Sequence, residues 1–404
     1  MPELIAWLDA SAAEQQRMRD IVSLFTDRDS RDELGFGQIR DALGDALFPG
    51  SSTLHTRAKY LLFVPWIYQL ASADKTDPAA QAKRLERKLI PALAASRDSA
   101  GLIGGQAGGA VKMLPSSIYW SALGRYGIRS DAAASRSDTA NSPQHTIAGD
   151  EEMTSQHRAW SAEIPPAPQG FPGQVPGGFA LTHHEASWLR DRIVMETDGT
   201  LLAHFLHVRP DDDSRFPWKT NAAQTATGDA KALLNHAQTF SAVIHGVQLL
   251  YNLLIAESYE AAGLDRVANP VEDYRGRFAE WARQLDSEVD RFAWPIEDFF
   301  ARLELTRGMP IKPGTVAFVR NWLELTREHP LASLAEHDDA RRLVRRRERT
   351  NKPTLYRIDA SRKRLSMWGG GSQSGRIGYR WAYVRRILAD IHNGLDQAIE
   401  VTDA

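Results

Sequence analysis

Cysteine is absent from all 404 residues. That removes disulfides, thiolate zinc sites, iron–sulfur clusters and a cysteine nucleophile together, and leaves no thiol from which a redox compartment can be read. Long apolar runs are scarce as well. The longest strongly apolar stretch, Tyr60 to Tyr68, has Pro65 inside it and falls far short of the ~20 residues that a membrane-spanning helix needs. The N-terminus opens on Pro2 and Glu3, without the basic segment and apolar core of a secretory signal. A cytoplasmic protein without a membrane partner is therefore expected. Nucleotide signatures are missing too: there is no Gly-x4-Gly-Lys-Ser/Thr loop, and Gly35-Phe36-Gly37 lacks the third glycine and preceding strand of a dinucleotide site. The His-x-Lys of phospholipase-D-type nucleases does not occur. No cofactor is expected.

What is present has globular proportions, 43% apolar and 25% charged residues with a net charge of −2, enough for two or three domains. The small net charge hides an asymmetry. Arg341 to Arg386 holds 15 Lys and Arg against only Glu348 and Asp359, a local net of +13, so the other 358 residues carry −15.

Apolar periodicity predicts a mainly α protein. Ser11 with Glu14 has capping-box spacing, and Met18, Ile21, Val22 and Phe25 follow on one helical face. Ile39, Leu43 and Leu47 mark a second helix stopped by Pro49-Gly50. A third is expected to start at Ser51, Ser52 or Thr53, run through His55, Arg57 and Lys59, and end or kink at Pro65. Pro115-Ser116-Ser117 starts another, and Thr182 with Glu185 repeats the capping-box spacing. Asp229 to Glu260 is the longest helical pattern. Tyr274, Phe278, Trp281, Leu285, Val289 and Phe292 form a stripe expected to end at Pro295, and helices around Phe299 and around Trp322 follow. Thr354–Asp359 and Arg364–Trp368 read as a hairpin before Gly369-Gly370-Gly371. A last helix carries Trp381, Val384, Leu388, Ile391 and Leu395, with Gly394 placed as its cap. The expected organisation is a helical domain over 1–129, a linker over 130–178 that is disordered and then Pro-rich and anchored by Trp160 and Phe171, a helical domain over 179–330, and a basic, winged-helix-like α+β module over 331–404.

Among candidate sites, His183-His184-Glu185 lacks a second histidine at zinc-helix spacing. Asp77 with Glu86-Arg87-Lys88 mimics a nuclease carboxylate set but lies in a charged helical segment, where a solvated face is the expected role. Gln238, Ser241, His245, Gln248 and Asn252 share one face of the long helix. A polar but uncharged stripe is either a packing seam, its commoner use, or a ligand face. The basic segment is the strongest signal. Arg341, Arg342, Arg345, Arg346 and Arg349 stand at helical spacings, and Lys352, Arg357, Arg362, Lys363, Arg364 and Arg380 extend the charge beyond that helix. Trp368 and Tyr379 flank the glycine loop and either stack on bases or close a core.

Arg31-Asp32-Glu33-Leu34-Gly35-Phe36-Gly37-Gln38-Ile39-Arg40-Asp41, then Leu47-Phe48-Pro49-Gly50, Thr56-Arg57-Ala58 and Phe63-Val64-Pro65-Trp66-Ile67-Tyr68, resemble an uncharacterised bacterial family filed as a domain of unknown function. Further matching blocks at Pro115–Trp120, Leu181–Leu189 and Tyr379–Arg386 carry the resemblance along almost the whole chain. It implies a place beside helicases and phospholipase-D-type nucleases in islands that defend bacteria against phage, and it supplies no catalytic residues. The physical reading of the first block is a set of ion pairs bracketing a two-glycine turn and fixing two helices. His55, Arg57 and Lys59 are either structural or a second, smaller anion-binding surface.

The function expected is a non-catalytic nucleic-acid-binding subunit, with duplex DNA favoured, in a bacterial defence or DNA-processing assembly. Its rivals are a scaffold whose basic end docks on an acidic partner, or on the acidic remainder of the chain itself, and an unrecognised metal-dependent nuclease. The organisation predicts that limited proteolysis of the native protein cuts first between Ser130 and Ala159. Protection there with earlier cutting elsewhere would overturn the boundary.

Overall fold

Asp32 shows how the first described element begins. Its carboxylate accepts the backbone N–H groups of Phe36 at 2.9 Å and Gly37 at 2.6 Å, supplying acceptors that the first turn of a helix cannot find within itself. Helix α1 (Gly37–Leu47) follows, with Ile39, Leu43 and Leu47 fully buried as their spacing requires. The computed structural model describes residues 32–74, 76–96, 98–130, 135–136, 139, 159–211 and 213–398. The helix expected at Met18–Phe25 and most of the linker expected before residue 159 lie outside them. The chain divides into two compact units, residues up to Ala42 with His236–Ile377, and Leu43–Asn235 with Gly378–Ala404. Each unit is thus completed by a stretch from the opposite end of the chain, and neither coincides with the linear segments expected to end at 129, 178 and 330.

In the unit of 43–235 and 378–404, α2 (Tyr60–Ala71) is buried almost throughout. It starts at Tyr60, not near Ser51, and it continues past Pro65, because burial on all sides outweighs the single backbone hydrogen bond that proline cannot make. Helices α3 (Pro78–Ala94) and α4 (Pro115–Arg125) pack on it. The Pro-rich stretch after Trp160 is anchored by its two aromatics: Trp160 and Phe171 are buried, Phe171 stacks on Phe63 at 5.7 Å, and Trp66 Nε1 donates to Pro165 O at 2.7 Å. Helix α5 (His183–Thr197) begins with the capping box expected from Thr182 and Glu185. Short α6 (Leu201–His207) and α7 (Asn221–Gln224) follow. The C-terminal helix, Trp381–Leu395, packs on α5. Gly394 is not its cap but its contact: a Cβ there would stand 2.7 Å from Ala186 Cβ and 2.8 Å from Leu181 Cβ.

Helix α8 (Gly228–Ala261) has the length and composition of a membrane span, yet 94% of its most apolar window is buried in the protein. In the unit of 1–42 and 236–377 its inner half meets α9 (Pro270–Glu288), α10 (Ile296–Arg307) and α11 (Pro313–Glu328). Two indoles tie the layers: Trp281 Nε1 donates to Ala242 O at 2.8 Å and Trp322 Nε1 to Val243 O at 3.0 Å. The α9 stripe stops short of Pro295. Val289 is already extended, the Asp290 carboxylate takes the N–H groups of Phe292 and Ala293, and Phe292 ends up exposed because this local side-chain turn displaces the helix.

The expected hairpin is absent. No strand occurs among the described residues, whose sole bridge is Arg129 with Trp160. After α12 (Asp338–Asn351) the backbone turns, α13 (Arg362–Leu365) makes a single helical turn, and α14 is the helix Trp381–Leu395. The reason is a competing acceptor. The buried Glu348 carboxylate captures the N–H of Arg357 at 2.6 Å and of Ile358 at 3.0 Å, so those donors do not enter a ladder.

The nuclease-like acidic pair is structural. Asp77 caps α3 by accepting from Ala80 N. Glu86 is not solvated but fully buried, and it accepts from Ser116 N at 2.6 Å and Ser116 Oγ at 3.0 Å at the start of α4. Burial pushes its pKa up to about 7 against the opposing pull of those hydrogen bonds. Between its unfolded value and that figure the native state holds the extra proton, so stability falls as pH rises through this window. Glu86→Gln, which mimics the protonated acid, should flatten that fall, worth roughly 3 kcal/mol, in urea unfolding measured across pH 4–8. An unchanged pH profile would show that Glu86 is not its source.

Candidate functional site

The cationic helix α12 is gripped from its inner side. Ala340, Val344 and Glu348 are its buried positions. Glu348 accepts Tyr251 Oη–H at 2.7 Å in addition to the two backbone N–H groups, and burial raises its pKa while those three donors lower it. Beside it Glu33, only 4% exposed, receives Lys352 Nζ at 3.1 Å and Arg357 Nη1 at 2.5 Å. Arg347 donates to Leu34 O at 2.7 Å, to Gly35 O at 3.3 Å and to Thr315 Oγ1 at 2.8 Å. Asn351 donates to the carbonyls of Asp32 and Glu33. The two-glycine block therefore seats the basic helix. Gly35 has φ +71°, and a Cβ on it would stand 2.4 Å from Arg347 Nη2, which is why a side chain is excluded there.

These contacts sort the candidate residues. Arg341 is held by Glu257 and by Ala335 O. Lys352 and Arg357 serve Glu33, and Arg364 donates to the carbonyls of Thr354 and Tyr356. Arg380 holds Asp45 and Ser51 O, each at 2.7 Å. Trp368 is 1% exposed against Tyr259 and Tyr274, and Tyr379 is buried beside Trp218, so both rings close cores and neither offers a face to a base. What remains outward is Arg342 paired with Asp339, Arg345 and Arg349 sharing Asp359 at 3.4 and 3.8 Å, and the exposed Arg346, Arg362 and Lys363. Arg346 and Lys363 have no ion-pair partner among the described residues.

The smaller anion-binding surface weighed for His55, Arg57 and Lys59 is interior. Arg57 lies between Asp390 at 3.0 Å and Asp98 at 2.5 Å, and Lys59 between Glu185 at 3.2 Å and Ala180 O at 2.6 Å. His55 stacks on Tyr119 at 4.4 Å, and burial depresses its pKa to about 4. His183 Nδ1 lies 2.9 Å from Leu395 O, and no group of three metal-ligating side chains exists among the described residues.

The polar stripe on α8 is mostly a seam. Gln238 donates to Glu288 O, Ser241 to Ile377 O, and Asn252 exchanges two hydrogen bonds with the Ser372 backbone. At its middle a cleft of about 220 Å³ opens, lined by His245, Arg277, Trp281, Glu288 and Arg376 among others. The cleft-lining Arg277 and Arg376 escaped the sequence reading. Arg376 was counted only as part of the basic segment, and nothing in the sequence joined it or Arg277 to the uncharged stripe, from which both are distant in the chain.

The elements define a mainly α-helical class of protein, with a cationic helix braced from within and a polar cleft on the longest helix among the described residues. The chain belongs to a family of unknown function, DUF6361, whose sequence model matches residues 2–394. No curated protein and no solved structure matches it.

Glu348→Ala orphans three buried donors, each costing about 1–3 kcal/mol, so unfolding free energy from urea titration should fall by roughly 3 kcal/mol or more. Glu348→Gln keeps one acceptor oxygen and should lose less. Equal stability of Glu348→Ala and wild type would remove Glu348 from the centre of this unit.

Proposed function

We propose that the protein binds nucleic acid, with duplex DNA as the favoured ligand, through the outward residues Arg342, Arg345, Arg346 and Arg349 of α12 together with Arg362 and Lys363. The observation carrying this reading is the exposed, incompletely neutralised cationic face on a helix whose opposite side is fixed by buried Glu348. At 1.5 Å per residue, Arg342 to Arg349 spans about 10 Å, the reach of a few phosphates on a backbone bearing one charge per roughly 1.7 Å of duplex. A fixed helix removes the backbone part of the ordering cost and leaves that of the arginine side chains. The work assigned to it is binding rather than catalysis, as a subunit of a bacterial antiphage or DNA-processing assembly. The family resemblance supports a helicase and a phospholipase-D-type nuclease as its companions.

Phosphate contacts release counterions, so the logarithm of affinity for random duplex falls with the logarithm of salt at about −0.9 per phosphate neutralised. Combined replacement of Arg342, Arg345, Arg346 and Arg349 by Ala should weaken binding to all sequences alike and flatten that slope by up to about four units. The fold should be kept, because alanine is the better helix former and the buried side is untouched. Fluorescence anisotropy at several salt concentrations, with circular dichroism alongside, gives the comparison. A folded quadruple variant with unchanged affinity and slope would reject this surface and leave an acidic protein partner as the leading account.

A further inference from the structure

The cleft on α8 has features that a packing seam does not require. His245 and Arg376 meet Arg277, Glu280, Trp281 and Glu288 around it. His245 Nδ1 and Gln248 Oε1 are sealed from solvent without a well-formed hydrogen bond, the Gln248 side chain being the only hydrogen-bond partner of His245 among the described residues, whereas Gln238, Ser241 and Asn252 on the same stripe donate to carbonyls of the chain. Arg376 is held by two contacts: its Nε donates to Ser241 Oγ at 3.2 Å and its Nη1 lies 2.5 Å from Glu288. Arg277 arrives from α9, its guanidinium over the Tyr274 ring and its Nη2 on Ser374 O at 3.2 Å. Its carboxylate neighbour, Asp273, is 3.5 Å away at the surface. Glu280 is turned to Arg283 and Gln284. Two guanidinium groups and a histidine therefore line one cleft, with the half-buried Glu288 carboxylate held by Arg376.

We propose that this cleft binds a terminal phosphate, carried by a small phosphomonoester or by the end of an oligonucleotide, between Arg277 and Arg376 with His245 as the third contact. Paired guanidinium groups are the side chains best matched to phosphate oxygens. The cavity volume admits a phosphate with a small organic group and is too small for a duplex. Trp281 supplies a fixed apolar wall, since Gly246 has no Cβ and one would stand 2.3 Å from the indole. The electrostatics agree with an anion here. Burial is the main force that brings the His245 pKa down to about 4; the Gln248 side chain opposes it as a hydrogen-bond partner, and the lesser effects of Arg376 and Arg277 lower it while that of Glu288 raises it. A dianion placed between the two arginines reverses that field and must raise the imidazole's proton affinity.

The proposal is independent of the duplex-binding surface on α12. Full-length protein is titrated with inorganic phosphate against chloride at matched ionic strength, by calorimetry and by NMR of the histidine rings. The expected result is saturable phosphate binding, with the His245 titration displaced upward when phosphate is present. Arg277→Gln and His245→Gln, each with an unchanged circular dichroism spectrum, should weaken binding by about tenfold or more. A 5′-phosphorylated single strand compared with its 5′-hydroxyl twin separates the two sources. Preference for the phosphorylated strand assigns the site to a nucleic-acid end, and equal binding of the two strands assigns it to a free phosphomonoester. The quadruple arginine variant of α12 should keep phosphate binding intact. Absence of saturable phosphate binding, undiminished binding in both cleft variants, or loss of phosphate binding in the α12 variant would each overturn the proposal, and none of these results depends on whether α12 binds duplex DNA.

Discussion

A carboxylate buried without water must be given donors, and in the unit of 1–42 and 236–377 the placement of Glu33 and Glu348 governs much else. Glu348 draws the backbone of Arg357 and Ile358 into a turn and fixes the Tyr251 hydroxyl on α8. Glu33 holds Lys352 and Arg357, and Arg357 Nη1 reaches on to Ser372 Oγ at 2.8 Å. The Ser372 backbone is in turn locked to Asn252. A chain of charge-assisted contacts therefore runs from the two-glycine block through the basic helix to the polar stripe of α8. Removing one member leaves buried charge behind, which is why such networks are costlier to break than to have replaced entirely by apolar groups.

This network changes the meaning of the basic segment. A net charge of +13 over 46 residues reads as a surface, yet Arg341, Arg347, Lys352, Arg357, Arg364, Arg376 and Arg380 all turn to acceptors of their own chain. Much of the acidic surplus elsewhere is not free either, since Glu33, Glu257, Glu288 and Asp45 are the partners. Docking of the basic end onto the protein's own carboxylates, one of the two rival roles weighed for it, accounts for this inner half. The same logic operates in the other unit, where Arg57 and Lys59 lie against Asp98, Asp390 and Glu185. A charge count is blind to such pairing because the partners lie tens to hundreds of residues away.

What could be read in the sequence follows the range of the forces involved. Helix starts set by neighbours three residues apart were legible, as Thr182 and Glu185 show, and so were apolar stripes such as Tyr274, Phe278, Trp281 and Leu285. Three features failed because a polar or steric contact overrode the apolar pattern. The hairpin over 354–368 was lost to Glu348 and the cap expected at Gly394 to a close approach by Leu181 and Ala186, both outside the segment, whereas the end of the α9 stripe was lost to the local Asp290 turn. Trp368 was ambiguous for the opposite reason, because exposure beside a glycine loop and burial beneath one have the same sequence. The cleft was half legible: the uncharged stripe on α8 was visible, while the arginines that complete it were not.

The stripe itself carries the last step. Gln238, Ser241 and Asn252 show that the chain supplies a matching group wherever the seam is closed, using carbonyls of Glu288, Ile377 and Ser372. An unmatched buried polar atom costs about 1–3 kcal/mol, and an apolar residue at position 245 would avoid that cost on a helix already buried at Val243, Ile244 and Val247. The poorly matched pair falls instead at His245 and Gln248, and His245 lines the cleft that Arg277 and Arg376 also line. A seam matched on both sides of a gap, with arginines held around that gap, is the geometry on which the proposed phosphate site rests.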